Sequence, residues 1–496
     1  MARILLGILI TCTPSLFAQE GEAVYIIRGI SYNISGKTKE SALERAGEFK
    51  TGVSFTGLEA LEEYIAGKKQ DLCNIRALDE NAVSISFSLG EMEENGAIPV
   101  YLEVYVTDSR NLVIMPQIKY DSNSGLSVKL KTRAYNFLGT LTEQQFDLAW
   151  ENNAGSHSLG FLLDIAIPFR AFGFNWTVTS FNELKGYLTG EPLYDINTLG
   201  LSMEIPVFFT TITIGAEQGI VVHEENTKKI QNYEGTADKY HSWYFFSRLF
   251  AEWKIPTPLH IGKFGAVVYT PGVYGIANYK GGSYIGDYRR GIGAGVTQEI
   301  GFGKIDWIGN FRSGIKVSAF NGNEYNFFRK AWNIDAGLLA QGHFRVCKLF
   351  GISARLLYTK WFNDYYDQAG DAVRGLKDGA LEAKSILALN MDFPFRVLRF
   401  VPSEWTGNRK WRYFDFELHL SLFADLAMAE SIDGSYRFRP ADIIPGIGAE
   451  AIIFPLTWRS FFFRVSAGWD IREAARIGKL PTGIHRELYF GTGHFY

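Results

Sequence analysis

The 496-residue chain carries 50 basic and 53 acidic side chains, a formal net charge of −3, with the two signs interspersed and no basic block. This excludes the electrostatic footprint of a nucleic-acid-binding protein. Apolar residues make up 47% and aromatic residues 15%, with 51 glycines, yet beyond the N-terminus no run reaches the roughly 18 apolar residues a membrane-spanning helix needs. Dispersed apolar and aromatic residues with abundant glycine are what a membrane β-barrel requires, because its strands alternate lipid-facing and lumen-facing positions.

The chain opens with MARILLGILITCTPSLFAQE. Arg3, a short apolar core from Ile4 to Ile10, and Ala18 before a polar stretch predict a secretory signal peptide over residues 1–18. Lipidation at Cys12 is the alternative, with Thr11 an unfavourable predecessor. After cleavage only Cys73 and Cys347 remain, which supports neither a disulfide framework nor a zinc site.

Residues 22–108 predict a small α+β domain in the order strand, helix, helix, strand, strand. AVYIIRGISYNI has strand composition, and KTKESALERAGEFK and TGLEALEEYIAGKKQ are helix-like. Thr56 and Glu59 fit a capping box, with Leu58, Leu61 and Ile65 on one helical face. Val83, Ile85, Phe87 and Leu89, then Val100, Leu102, Val104 and Val106, alternate as two strands. An open edge of such a sheet can accept an extended peptide.

Over residues 110–496 the helical signal stops and strands of about ten residues recur. In YFDFELHLSLFADLA, Phe414, Phe416, Leu418, Leu420, Leu422 and Leu426 face one way, and Asp415, Glu417, His419, Ser421 and Asp425 the other. Trp243, Tyr244, Trp253, Tyr358 and Trp361 near strand ends fit the aromatic girdles of a transmembrane barrel. Short turns in AIPFRAFG, EIPVFFTT and IGFGKI alternate with long polar segments, which predicts periplasmic turns and external loops. The expected fold is a transmembrane antiparallel β-barrel of about 16 strands, or about 18 if two weak segments between Tyr240 and Phe362 belong to the wall.

Several stretches together resemble the BamA/TamA family of outer-membrane assembly proteins, the bacterial surface antigen family. They are VYVTDSRNLVIMPQIKYDSNSGLSVKLKTRAYNFLGT at the start of the barrel, Val373-Arg374-Gly375 in a late loop, and Phe423-Ala424-Asp425-Leu426-Ala427 on the second strand after it. Five strand candidates follow the loop, the family's number. Leu376 stands where the family has an aromatic residue. The resemblance implies that the small domain is a single POTRA domain in the periplasm. It also implies that the loop folds into the lumen, where Arg374 would pair with Asp425, a fork of donors matching a carboxylate. It implies further that the barrel closes between its first and last strands, a lateral seam including Leu112, Ile114, Tyr120, Gly491, Gly493 and Tyr496.

No Gly-x-Ser-x-Gly elbow or His-Glu-x-x-His helix occurs, and the eight histidines are scattered; no catalytic residue, metal site or cofactor is expected. The leading expectation is a non-enzymatic barrel assisting insertion or translocation of polypeptides at the outer membrane. Its partners would be outer-membrane lipids, client polypeptides and periplasmic factors, the last reached through the POTRA-like domain. The alternative is a passive pore or surface-antigen barrel. One POTRA-like domain, where the principal family member has about five, points to an accessory or specialised role.

Overall fold

The computed structural model describes residues 23–109, 111–153, 156–188, 194–208, 210–222, 243–280, 291–362, 367–368, 370–457 and 462–492. The expected signal peptide, Cys12, Gly493 and Tyr496 lie outside the described residues, as do most of the long polar segments over 223–242 and 281–290. The chain divides into two units between Ser109 and Arg110.

The first unit comprises β1 (Val24–Ser35), α1 (Glu40–Gly47), β2 (Ser54–Thr56), α2 (Leu58–Cys73), β3 (Ser84–Leu89) and β4 (Ala97–Thr107). Its sheet runs in the order β2-β1-β4-β3, with β1 parallel to β4 and both edge strands antiparallel to their neighbours. Alternation puts Val100 and Leu102 on the covered face, where they meet Ile27 and, from α2, Leu61 and Ile65. Tyr101 and Tyr105 stay on the open face. The expected capping box does not form. Thr56 belongs to β2, and the chain turns into α2 at Gly57 with φ 84°, so the cap position has no side chain to offer. Leu58, expected on the buried face, is 41% exposed because it sits at this turn.

The second unit is a closed antiparallel barrel. Its first nine strands are β5 (Leu112–Asp121), β6 (Gly125–Ala134), β7 (Gln144–Asn153), β8 (Ser156–Ala171), β9 (Phe174–Tyr187), β10 (Tyr194–Val207), β11 (Thr210–Val222), β12 (Trp243–His260) and β13 (Ala266–Lys280). There follow β14 (Gly291–Ile308), β15 (Phe311–Asn326), β16 (Ala331–Arg345), β17 (Gly351–Trp361) and the two-residue β18 (Asp367–Gln368). The last five are β19 (Glu382–Phe400), β20 (Phe416–Ser431), β21 (Ile444–Pro455), β22 (Phe463–Asp470) and β23 (Arg486–Gly491). Because β17 pairs directly with β19, β18 is an annex and the wall has eighteen strands.

The count of 16 is therefore corrected to 18, and IGFGKI is not a turn. Gly303 within it has φ +95°, a kink that glycine tolerates, while β14 keeps its register with β15 from Gly293↔Asn326 to Ile308↔Phe311. What reads as a break in the sequence is a bend inside one long strand.

Period-two alternation sets the two faces of the wall. On β20, Glu417, His419, Ser421, Phe423 and Asp425 are buried toward the lumen, while Leu420, Leu422 and Leu426 are exposed outward. The outward face elsewhere carries exposed Ile114, Leu130, Leu148, Leu199, Leu249 and Val273. No helix among the described residues is long and apolar enough to cross a membrane. The β19–β20 connection contains α3 (Pro402–Thr406) and a 3-10 segment over Arg409–Phe414, and the β22–β23 connection contains α4 (Ile471–Ile477).

Candidate functional site

The segment between β17 and β19 supplies the loop. Two short 3-10 turns, Gly370–Ala372 and Asp378–Ala380, bracket Val373, Arg374, Gly375 and Leu376. Val373 and Leu376 pack with Ala372, Leu381, Ile386 and Ile444 in an apolar cluster inside the barrel. Leu376 is 2% exposed, so at the position where an aromatic residue was expected a leucine fills the space.

Arg374 and Asp425 are 2% and 1% exposed. Arg374 Nε and Nη2 donate to the two oxygens of Asp425 at 2.9 and 2.7 Å, and its backbone N–H donates to Asp425 Oδ2 at 2.9 Å. Nη1 donates to Asp392 Oδ1 at 2.5 Å, with Glu450 Oε2 4.0 Å away. The guanidinium carbon lies over Phe423, 3.9 Å from the ring centroid. Burial opposes the charge on Arg374, but the hydrogen bonds and charges of Asp425 and Asp392 more than reverse it, so its pKa is raised. A lysine would match the charge but neither the two-point fork nor the stacking on Phe423.

The wall beneath the loop is made of glycine. A Cβ at Gly446 would stand 2.2 Å from the Arg374 carbonyl oxygen, and one at Gly468 would be 2.9 Å from the Gly375 nitrogen. A Cβ at Gly448 would fall 2.3 Å from the Phe423 ring. Gly375 itself has φ +106°, and a Cβ there would reach within 2.6 Å of the Trp469 backbone. Main chain therefore lies directly on main chain, which only glycine allows.

Further bonds tie the loop to several strands. Asn390 Nδ2 on β19 donates to the Ala372 carbonyl at 2.9 Å. The Gly375 N–H donates to Glu487 Oε2 on β23 at 3.3 Å, and the Lys377 N–H to the Ile484 carbonyl at 2.9 Å. The Asp378 N–H donates to Asn123 Oδ1, in the turn between β5 and β6, at 3.0 Å. Burial, followed by the charges of Asp371 and Asp121, pushes the Asp378 carboxyl up to about 6. The loop thus touches both sides of the junction between the last and first strands.

At that junction β23 pairs with β5 through Tyr489↔Asp121 and Phe490↔Tyr120. The Ser122 N–H donates to the Leu488 carbonyl at 3.0 Å, and Gln117 Nε2 donates to Thr492 Oγ1 at 2.6 Å. The Leu488 N–H also donates to Ser122 Oγ at 3.1 Å; the described residues of this last segment end at Thr492. Of the expected seam residues, Tyr120 faces β23. Leu112 and Ile114 pair with Ala134 and Thr132 of β6, and all three are exposed on the outward face. Gly491 pairs with Arg464 of β22, and a Cβ there would meet Tyr489 Oη at 2.8 Å.

Sequence reasoning did not find Asp392, Asn390, Glu487, Asn123 or the three wall glycines. Asp392 and Asn390 carry a usable signal, since both fall on one parity of the β19 alternation. Among the described residues no group of three or more His, Cys, Asp or Glu is placed to hold a metal ion.

No family model matches the sequence, and no curated protein matches it significantly. Among solved structures the barrel is similar to CdiB from Acinetobacter baumannii, at 11% identity and TM-score 0.48 over 94% of this chain and 74% of that one. It is similar also to CdiB from Escherichia coli, at 10% identity and TM-score 0.41 over 97% of this chain and 92% of that one. BamA from Haemophilus ducreyi lacking POTRA domains 1–3 matches at 13% identity and TM-score 0.36, over 94% and 84%. At these values the likenesses add nothing to what the barrel's own geometry supports.

Removing the carboxylate in Asp425→Ala strands a buried guanidinium and should cost about 3–5 kcal/mol of barrel stability. Arg374→Lys keeps the charge and should cost less, about 1–3 kcal/mol; the urea midpoint of unfolding in micelles reads both. Gly446→Ala should lift the loop off the wall, which limited trypsin digestion would detect as faster cleavage after Arg374 and Lys377. Unchanged digestion would mean that the loop does not depend on the wall glycines.

Proposed function

We propose that this chain is a non-enzymatic outer-membrane β-barrel that assists the insertion or translocation of polypeptides, its small α+β domain receiving clients and periplasmic factors as a POTRA-like module. A closed barrel with an apolar outward face suits a bilayer, where every backbone polar group must be bonded internally. An exposed apolar band of that extent would be a liability in water.

One observation carries the functional reading: the loop bearing Arg374 is bonded to both sides of the seam between β5 and β23, at Glu487 and Asn123. Separating those strands bares an edge within the membrane. There an unpaired N–H or C=O costs several kcal/mol until another strand pairs with it. A client strand supplies that pairing by strand addition. A passive pore has no use for a loop fixed in its lumen by a buried ion pair and bonded to both sides of the junction between its first and last strands.

The test is a reversible lock. With Cys73 and Cys347 replaced by serine, the pair Tyr120→Cys and Phe490→Cys places two thiols on residues directly opposite across the seam. The oxidised form should remain folded yet lose insertion of a β-barrel client into proteoliposomes, and reduction should restore it. Full insertion activity in the oxidised form would eliminate the seam mechanism.

A further inference from the structure

The β19–β20 connection lies at the rim where β5 begins, the same rim as the β8–β9 and β10–β11 turns, because successive strands run antiparallel. It is a fifteen-residue strap over 401–415, VPSEWTGNRKWRYFD, ordered from within. Pro402 opens α3, and Gly407 ends it in a left-handed conformation, φ 63°. Asn408 accepts from the Lys410 N–H to start the 3-10 segment. The Ser403 side chain and N–H are bonded to the buried Asp415 carboxylate, which closes the strap on itself.

The strap is turned to the outside of the barrel. Phe400 and Phe416 pair across the ladder with Phe416 on the outward parity of β20, and Trp405 packs edge-on against Phe400 with centroids 5.0 Å apart. Trp411, Tyr413 and Phe414 are also exposed. Among these aromatics stand Arg409, Lys410 and Arg412, and no described acidic side chain pairs with any of them. The strap's other acid, Glu404, is engaged by Arg399, and Asp415 is buried within.

Across the barrel the same rim carries apolar tips. Phe172 and Phe208 stand at the β8–β9 and β10–β11 turns, 92% and 99% exposed, both in left-handed backbone conformations that side chains rarely adopt. The strap lies about eight strands further round an eighteen-strand wall, nearly opposite the Phe208 turn. Cationic and aromatic groups on one side and bare phenylalanines on the other are both satisfied by a medium that runs around the whole circumference. A lipid leaflet is such a medium: its headgroups take the cations and its acyl boundary takes the rings.

We infer that the 401–415 strap is a binding site for anionic phospholipid headgroups, with Arg409, Lys410 and Arg412 on the phosphates and Trp405 and Trp411 anchoring it at the acyl boundary. The inference rests on the membrane reading proposed above. The test uses the full chain, purified and equilibrated with mixed micelles of phosphatidylglycerol and phosphatidylcholine in equal amounts, then re-isolated and assayed for bound lipid. The wild type should retain phosphatidylglycerol over phosphatidylcholine about tenfold, undisturbed by excess inorganic phosphate. The variant Arg409→Gln/Lys410→Gln/Arg412→Gln should lose the preference. If it fails to fold, judged by heat-modifiable migration on a gel, Lys410→Glu alone should lower the preference about threefold or more. An unchanged ratio in folded variants, as expected if the strap serves a protein partner instead, overturns the inference, as does displacement by free phosphate. Insertion into vesicles without lipid preference would sink this inference alone; failure to insert into vesicles of either lipid would sink the membrane reading.

Discussion

A guanidinium stays charged when taken out of water inside a protein, so its burial is tolerated only with carboxylates around it, and the late part of this barrel is arranged around that demand. Arg374 takes both oxygens of Asp425 and one of Asp392, and lies on Phe423. Those three partners come from β19 and β20, neighbours in the wall, so the arginine also holds their inward faces in register with the loop. The remaining loop bonds each use one loop backbone group, met by the side chain of Asn390, Glu487 or Asn123 or by the Ile484 carbonyl, and each is of ordinary strength.

This division of labour explains why the lumen is not uniformly polar at this level. A water-filled barrel would be expected to line its interior with polar side chains. Here Ala383, Ala388, Ala427, Ala429 and Ile444 face inward and cluster with Val373 and Leu376. The loop has its own small apolar core, built from wall residues on one side and loop residues on the other. The charged pair fixes position and the apolar contacts supply area.

Much of the architecture was legible because alternation is a strong signal. The inward set on β20 and the five strands after the loop follow from it, and so does the α+β character of the first unit. Glycine defeated it twice. Gly303 bends β14 and was read as a turn inside what is one strand, and Gly446, Gly448 and Gly468 leave no side chain by which to recognise that a face is occupied. Bulges add to this: the register shift between Arg396 and Leu398 breaks the pattern near the end of β19, so its extension to Phe400 was not evident. The strap over 401–415 went unremarked, and its final residues were assigned to β20. The pairing of Arg374 with Asp425 came from family resemblance, since nothing local in either segment specifies a partner 51 positions away.

The glycine wall has a consequence for how this loop can vary. A surface that meets its ligand backbone to backbone, as Gly446 meets the Arg374 carbonyl and Gly468 the Gly375 nitrogen, distinguishes chain direction and curvature and is blind to most side chains. Substitution at position 376 is then a matter of filling a small apolar space, which leucine does. Sequence freedom in the loop is limited to apolar residues of fitting size at Ala372, Val373 and Leu376, and it narrows sharply at the arginine and at the glycine that follows it.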